Sequence, residues 1–212
     1  MTVKRYEREG VQGFIHEPGG PAEAAIVLAH GAGSNANAPL LVALCEAFAG
    51  SGTLALRINL PFRQKRASGP PHPSMAAFDR DGLRHAAAAL RADGMSRILL
   101  GGHSYGGRQV TMLAAEEPTL AERLLILSYP LHPPGRPDAL RTAHFPDLRT
   151  PALFVHGDRD PFATIPELRK ALQDIPAPWK LLEIGVAGHD LGRKGGEPKL
   201  AQRVLREFLS DG

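Results

Sequence analysis

One short stretch fixes most of what this chain can become: Leu99-Leu100-Gly101-Gly102-His103-Ser104-Tyr105-Gly106-Gly107, led in by Arg97-Ile98. An apolar run of this length suits a strand of a parallel sheet covered on both faces. It stops on glycines, and behind it Val110, Leu113 and Ala114 keep helical spacing until Pro118. Gly102-His103-Ser104-Tyr105-Gly106 fits the G-x-S-x-G nucleophile elbow, in which a strained strand-to-helix turn lifts a serine hydroxyl above the sheet. Glycines two before and two after the serine let neighbouring backbone approach where a Cβ would collide. Ser104 is therefore the candidate nucleophile.

The rest of the chain repeats this alternation of strand and helix. Strands are expected at 3–7 and 11–15, antiparallel around the turn Arg8-Glu9-Gly10, and then at 25–29, 53–59, 124–128, 152–155 and 180–184. Helices are expected at 39–49, from a Ser74 cap to about 91 with Leu83, Ala87 and Leu90 on one face, and at 166–174. A last amphipathic helix carries Leu200, Val204, Leu205 and Phe208. Residues 62–73 read as a loop, 129–150 as a crossover loop or small cap beside the site, and 185–198 as a loop around Gly188-His189-Asp190. With no internal repeat, this predicts a single α/β domain over 1–212, a mostly parallel sheet with helices on both faces and no large cap. Such sheets bind ligands beyond the carboxyl ends of their strands. His30, Ser104, Asp160 and His189 each lie just past a strand.

Charge and cysteine usage bound the partners. The net charge of +3 is small, too small and too scattered for nucleic-acid binding. The densest basic clusters, Arg63-Gln64-Lys65-Arg66 and Arg193-Lys194, read as solvated loops, with attraction of an anionic substrate as the alternative. No apolar run approaches the ~20 residues of a membrane span, and residues 1–9 are polar rather than a signal peptide. The one cysteine, Cys45, excludes an internal disulfide and suits a reducing cytoplasm. It shares an i, i+3, i+4, i+7 stripe with Leu41, Leu44 and Phe48, the pattern of a packed core thiol.

A serine hydroxyl is a poor nucleophile at neutral pH and needs a base that an acid orients. Among nine histidines, His189 is the candidate base: its glycine-flanked loop after the last strand lets it swing over Ser104. His103 points elsewhere in an elbow, and His30 and His156 end strands, where local hydrogen bonds shape their loops. Asp160 is the candidate acid because the longer excursion from its strand reaches the imidazole and Pro161 fixes the turn; Asp158 in the same turn is the fallback. Oxyanion donors are expected from the backbone N–H of Tyr105 and of Ala32, in the His30-Gly31-Ala32-Gly33 loop, with Gly33 able to replace Ala32. His30, Gly33, Phe62, Arg63, Tyr129 and His132 also follow strands and are expected to line a substrate pocket. The implied partner is a small-molecule acyl substrate. No cofactor or metal is called for, and the histidines are too dispersed for a zinc spacing pattern.

The order Ser104, acid, histidine is the order of α/β-hydrolases, and the resemblance runs from about residue 25 to the end. Arg57-Ile58-Asn59-Leu60-Pro61-Phe62, Ser128-Tyr129-Pro130-Leu131-His132-Pro133-Pro134-Gly135 and Val155-His156-Gly157-Asp158-Arg159-Asp160-Pro161-Phe162 resemble a small dienelactone-hydrolase-like branch. That branch includes a testis-expressed hydrolase-like protein and a subunit of a chromatin acetyltransferase complex. The resemblance implies the hydrolase fold and a serine-type site, with no specified substrate, and some relatives serve as scaffolds. Where relatives often carry aspartate before the histidine, this chain has Gly188-His189-Asp190.

Overall fold

A computed structural model describes residues 1–192 and 195–210. The Arg193-Lys194 cluster lies outside the described residues.

Among the described residues, eight strands form one sheet: β1 (Thr2–Arg8), β2 (Val11–Glu17), β3 (Ala24–Ala29), β4 (Leu54–Asn59), β5 (Arg97–His103), β6 (Arg123–Leu127), β7 (Ala152–Gly157) and β8 (Trp179–Ile184). The helices are α1 (Pro39–Gly50), α2 (Pro61–Lys65), α3 (Ala76–Ala92), α4 (Tyr105–Glu116), α5 (Ile165–Leu172) and α6 (Glu197–Leu209). The strand order is β1-β2-β4-β3-β5-β6-β7-β8. β1 and β2 join antiparallel, as does β2 with β4, and every later pairing is parallel. The expected mostly parallel sheet is thus present.

Alternation along the strands sorts side chains between two cores. In β3, Ala25, Val27 and Ala29 face the layer that holds Leu83, Leu90 and Val110, while Ile26 and Leu28 face α1 and α6 through Leu44, Phe48, Val204 and Phe208. Cys45 is fully buried in the second layer, and burial pushes its thiol up. Edge strand β1 is almost wholly exposed and carries Lys4, Arg5, Glu7 and Arg8, charges that discourage edge-to-edge pairing.

Two local expectations need correction. Residues 62–65, read as loop, belong to α2, whose Pro61 supplies the pre-set first helical φ. Ser74 does not cap a helix: it lies within a 3-10 turn, Pro73–Met75, whose cap is the His72 side chain. Residues 129–150 hold no cap domain; a 3-10 turn, Phe145–Asp147, is their one regular element, and Tyr129, Phe145 and Leu148 tuck into the core. Among the described residues, no helix is long and apolar enough to cross a membrane.

Buried imidazoles make this fold acid-sensitive. His16, which accepts a 2.9 Å hydrogen bond from Arg57 Nε, and His30 are fully buried, and desolvation pushes each down from 6.5 to about 4. Between those values the unfolded chain binds the protons that the folded chain refuses, so stability falls as pH falls. Each imidazole contributes up to about 1.4 kcal/mol per pH unit. Urea melts at pH 6.5 and 4.5 are expected to show that loss, and His16→Gln to flatten the slope. An unchanged slope in the variant would remove His16 as a source.

Candidate active site

The chain leaves β3 to build β4 on one side and returns to build β5 on the other, so the loops after β3 and β5 diverge at a switch point. The candidate groups assemble there. Ser104 sits between β5 and α4 with φ 52° and ψ −116°, a backbone that costs energy for any residue with a side chain. Its neighbours explain the glycines. A Cβ on Gly102 would lie 2.6 Å from the Gly106 carbonyl carbon, and one on Gly106 would lie 2.6 Å from the His30 carbonyl oxygen.

His189 bridges the other two groups. Its Nε2 is 2.7 Å from Ser104 Oγ and its Nδ1 2.8 Å from Asp160 Oδ2. With a carboxylate on Nδ1, that nitrogen carries the proton, and Nε2 accepts from the serine hydroxyl. The Asp160 side chain is fully buried. Burial opposes its charge, but the hydrogen bonds from His189 and from the Phe162 N–H, with the nearby imidazoles, outweigh that and hold the carboxyl below the usual range. Asp158 points elsewhere. Its carboxylate accepts from the Ala187 N–H at 3.2 Å, tying down the loop that bears His189. Backbone hydrogen bonds from Val186, first among them, and from Ala187 hold this carboxyl low as well.

Two rings to which the sequence assigned no role in the site flank the His189 imidazole. Phe162 stacks on His189 at 4.3 Å between centroids. His103 Nε2–H donates to the His189 carbonyl at 2.8 Å, fixing His189 from its backbone. Burial pushes the His103 imidazole down, so it stays a neutral donor.

The loop after β3 is clamped from β4 and α2. Arg57 donates to the Ala36 carbonyl and the Asn37 amide oxygen at 2.7 Å, and Asn59 Oδ1 accepts from the Ala36 N–H at 2.8 Å. Arg63 donates to Ser34 O at 2.7 Å and Ala32 O at 2.8 Å. The Gly31 carbonyl accepts from His30 Nδ1–H at 2.8 Å and from the Ser34 N–H at 3.1 Å. That carbonyl shares a planar trans peptide with the Ala32 N–H, so fixing one points the other the opposite way. Among the described residues the Ala32 N–H is in no backbone hydrogen bond. Tyr105, first in α4, has one of the N–H groups a helix leaves unpaired.

Most of the expected pocket lining is structural instead. His30 is buried with both ring nitrogens engaged, the second accepting from the Leu60 N–H at 3.1 Å. Phe62 is core, edge-on to His30 and Tyr105. Arg63 is buried and spends its guanidinium on carbonyls, with Arg66 O and Gly69 O also accepting. Tyr129 is fully buried against Phe145 and Phe154 and donates to Arg141 O. His132 is buried, donating from Nδ1 to Pro133 O. In each case packing beyond the strand end turned the side chain inward. Gly33 alone of the six is exposed, on the clamped loop.

A cavity of about 310 Å³ is walled by Ser34, Ala38, Leu41, His103 and Asp190, and Ser104, His189 and Asp160 are not among its lining residues. A larger groove of about 790 Å³ lies at the opposite end of the sheet, where β3, β5, β6, β7 and β8 begin, away from Ser104. Among the described residues, no three His, Cys, Asp or Glu side chains are grouped to hold a metal.

Residues 22–211 match the alpha/beta hydrolase domain family, and the chain belongs to it. Three solved structures illustrate the fold. An alpha-beta serine hydrolase homologue from Coxiella burnetii is 18% identical with a TM-score of 0.78, over 99% of this chain and 97% of that one. A dienelactone hydrolase from Anabaena variabilis is 20% identical with a TM-score of 0.75, over 97% and 96%. XC6422 from Xanthomonas campestris, an a/b serine hydrolase without lid, is 17% identical with a TM-score of 0.74, over 100% and 96%.

Proposed function

We propose that this chain is a serine hydrolase that cleaves an ester, thioester or lactone bond of a small acyl substrate through an acyl-enzyme. The observation that carries the reading is the continuous chain from Ser104 Oγ through the His189 ring to Asp160, with both links under 3 Å. His189 Nε2 takes the hydroxyl proton as Ser104 Oγ bonds to the substrate's carbonyl carbon. The developing oxyanion lies between the N–H groups of Ala32 and Tyr105, each worth on the order of 3 kcal/mol. His189 then gives its proton to the departing alkoxide or thiolate as that bond breaks, so that an alcohol or thiol is released. Water enters, loses a proton to His189 and attacks the acyl carbon, and the proton returns to Ser104 as the acid leaves. Asp160 stays ionised throughout, holding the imidazole in one tautomer and offsetting its transient charge.

The alternative, a binding or scaffold module on the same fold, would be the better reading if His189 could not reach Ser104. The 2.7 Å separation favours turnover. A fluorophosphonate probe is expected to add covalently to Ser104 in the folded protein, seen as one mass adduct on the peptide that contains it, and to leave Ser104→Ala unlabelled. Folded protein that takes no adduct defeats the reading.

A further inference from the structure

We infer that Asp79 is a positioning residue that registers the two oxyanion donors against each other. This rests on the serine-hydrolase reading. Asp79 is fully buried on α3, one turn before Gly82. Its carboxylate reaches into both halves of the donor pair. Oδ2 accepts from the Tyr105 hydroxyl at 2.6 Å, and Oδ1 accepts from the Phe62 N–H at 2.9 Å. Tyr105 supplies the elbow donor from its own backbone. Phe62 lies at the start of α2, and the next residue, Arg63, holds the carbonyls of Ala32 and Ser34 in the other donor's loop.

The local construction supports a dedicated junction. Leu60, at the N-cap of α2, offers no side-chain cap, so the Asp79 carboxylate takes that place from another helix. A Cβ on Gly82 would lie 2.6 Å from Pro61 Cδ, so glycine there is what lets α3 press against the start of α2. The Phe62 ring fills the space between His30 and Tyr105, 5.5 Å and 5.6 Å away. Burial pushes the Asp79 carboxyl up, against the two hydrogen bonds it accepts. A neutral amide of the same shape therefore suits the position: its oxygen accepts from Phe62, and its NH₂ donates to the Tyr105 oxygen.

The test uses the full chain, p-nitrophenyl acetate as substrate and an aryl trifluoromethyl ketone as a tetrahedral-adduct probe. Active sites are counted by fluorophosphonate titration to completion. Asp79→Ala is expected to lower kcat per titrated site by about tenfold or more, with KM within twofold, and to weaken the ketone's Ki by a similar factor. Tyr105→Phe, which removes only the hydroxyl, is expected to move kcat and Ki the same way. Asp79→Asn is expected to regain most of both. A merely structural aspartate predicts fewer titratable sites of normal kcat. That result overturns the inference, as does an Ala variant within twofold of wild type or an Asn variant as impaired as Ala. Wild-type protein that takes no fluorophosphonate strikes the hydrolase reading itself and the inference with it, whereas normal labelling with unaffected Asp79 variants strikes the inference alone.

Discussion

His189→Ala is expected to lower kcat by about a millionfold, and adding Ser104→Ala to it is expected to lower kcat no further. In the proposed mechanism, nucleophile and base act as one unit. The hydroxyl attacks only as its proton leaves along the 2.7 Å link to Nε2, so removing either end removes the whole step. Asp160→Asn is expected to cost less, about ten-thousandfold, because nucleophile and base survive while the amide no longer enforces the Nδ1–H tautomer. Asp158→Asn should cost far less than either, since that side chain touches the base loop through the Ala187 N–H rather than the imidazole. Single-turnover and steady-state rates on p-nitrophenyl acetate, with circular dichroism to show that each variant is folded, check the series. A larger loss from Asp158→Asn than from Asp160→Asn would move the acid to Asp158. A His189→Ala variant within tenfold of wild type would remove His189 as the base.

The same comparison shows why some of the site could be read from the sequence and some could not. Ser104 announces itself because its constraint is local: the glycines at 102 and 106 are demanded by atoms within a few residues or on the adjoining strand end. Asp160 and His189 are legible as strand-end residues because a parallel sheet puts all such ends on one rim. The choice of Asp160 over Asp158 depends on where the loop after β8 returns; spacing favoured Asp160, the carboxylate that hydrogen-bonds His189, without showing what Asp158 does. The pocket assignments failed for the opposite reason. A side chain one or two places past a strand can face the rim or the core, and Tyr129 was decided by Phe145 and Phe154, which come from other segments. Helix α2 spans Pro61–Lys65, too short to display a helical period, so its residues looked like a basic loop. The clamps from Arg57 and Arg63 left no local signature either, since a buried guanidinium bonding carbonyls 21 and 31 residues away is indistinguishable in sequence from a solvated one. Asp79 escaped notice likewise, and His103 was set aside as pointing elsewhere, because each is defined by a partner that only the fold brings near.

Gly157→Ala is expected to lower kcat about a hundredfold and to destabilise the fold by about 1–3 kcal/mol, because the base loop packs directly on this Cα. A Cβ there would lie 2.3 Å from the Ala187 carbonyl oxygen and 2.6 Å from that of Gly188. Neither atom can swing aside like a side chain. Ala187 O accepts from the Arg159 N–H at 2.9 Å, and Gly188 O accepts from the Leu191 N–H at 3.1 Å. Moving both carbonyls far enough to admit a methyl shifts the loop by about 1 Å, and His189 rides on the next residue; a misplacement of that size costs on the order of a hundredfold. His103, holding the His189 carbonyl from the far side, resists the same displacement. Gly188→Ala is the matched comparison. It sits closer to the base in sequence, yet its added Cβ would find nothing nearer than Arg159 O at 3.9 Å, so rate and stability should stay within a few-fold and about 1 kcal/mol of wild type. Urea melts and kcat per fluorophosphonate-titrated site distinguish the two. Equal losses at both positions would mean that closeness to His189 along the chain, rather than the approach of the loop to the end of β7, sets the placement of the base.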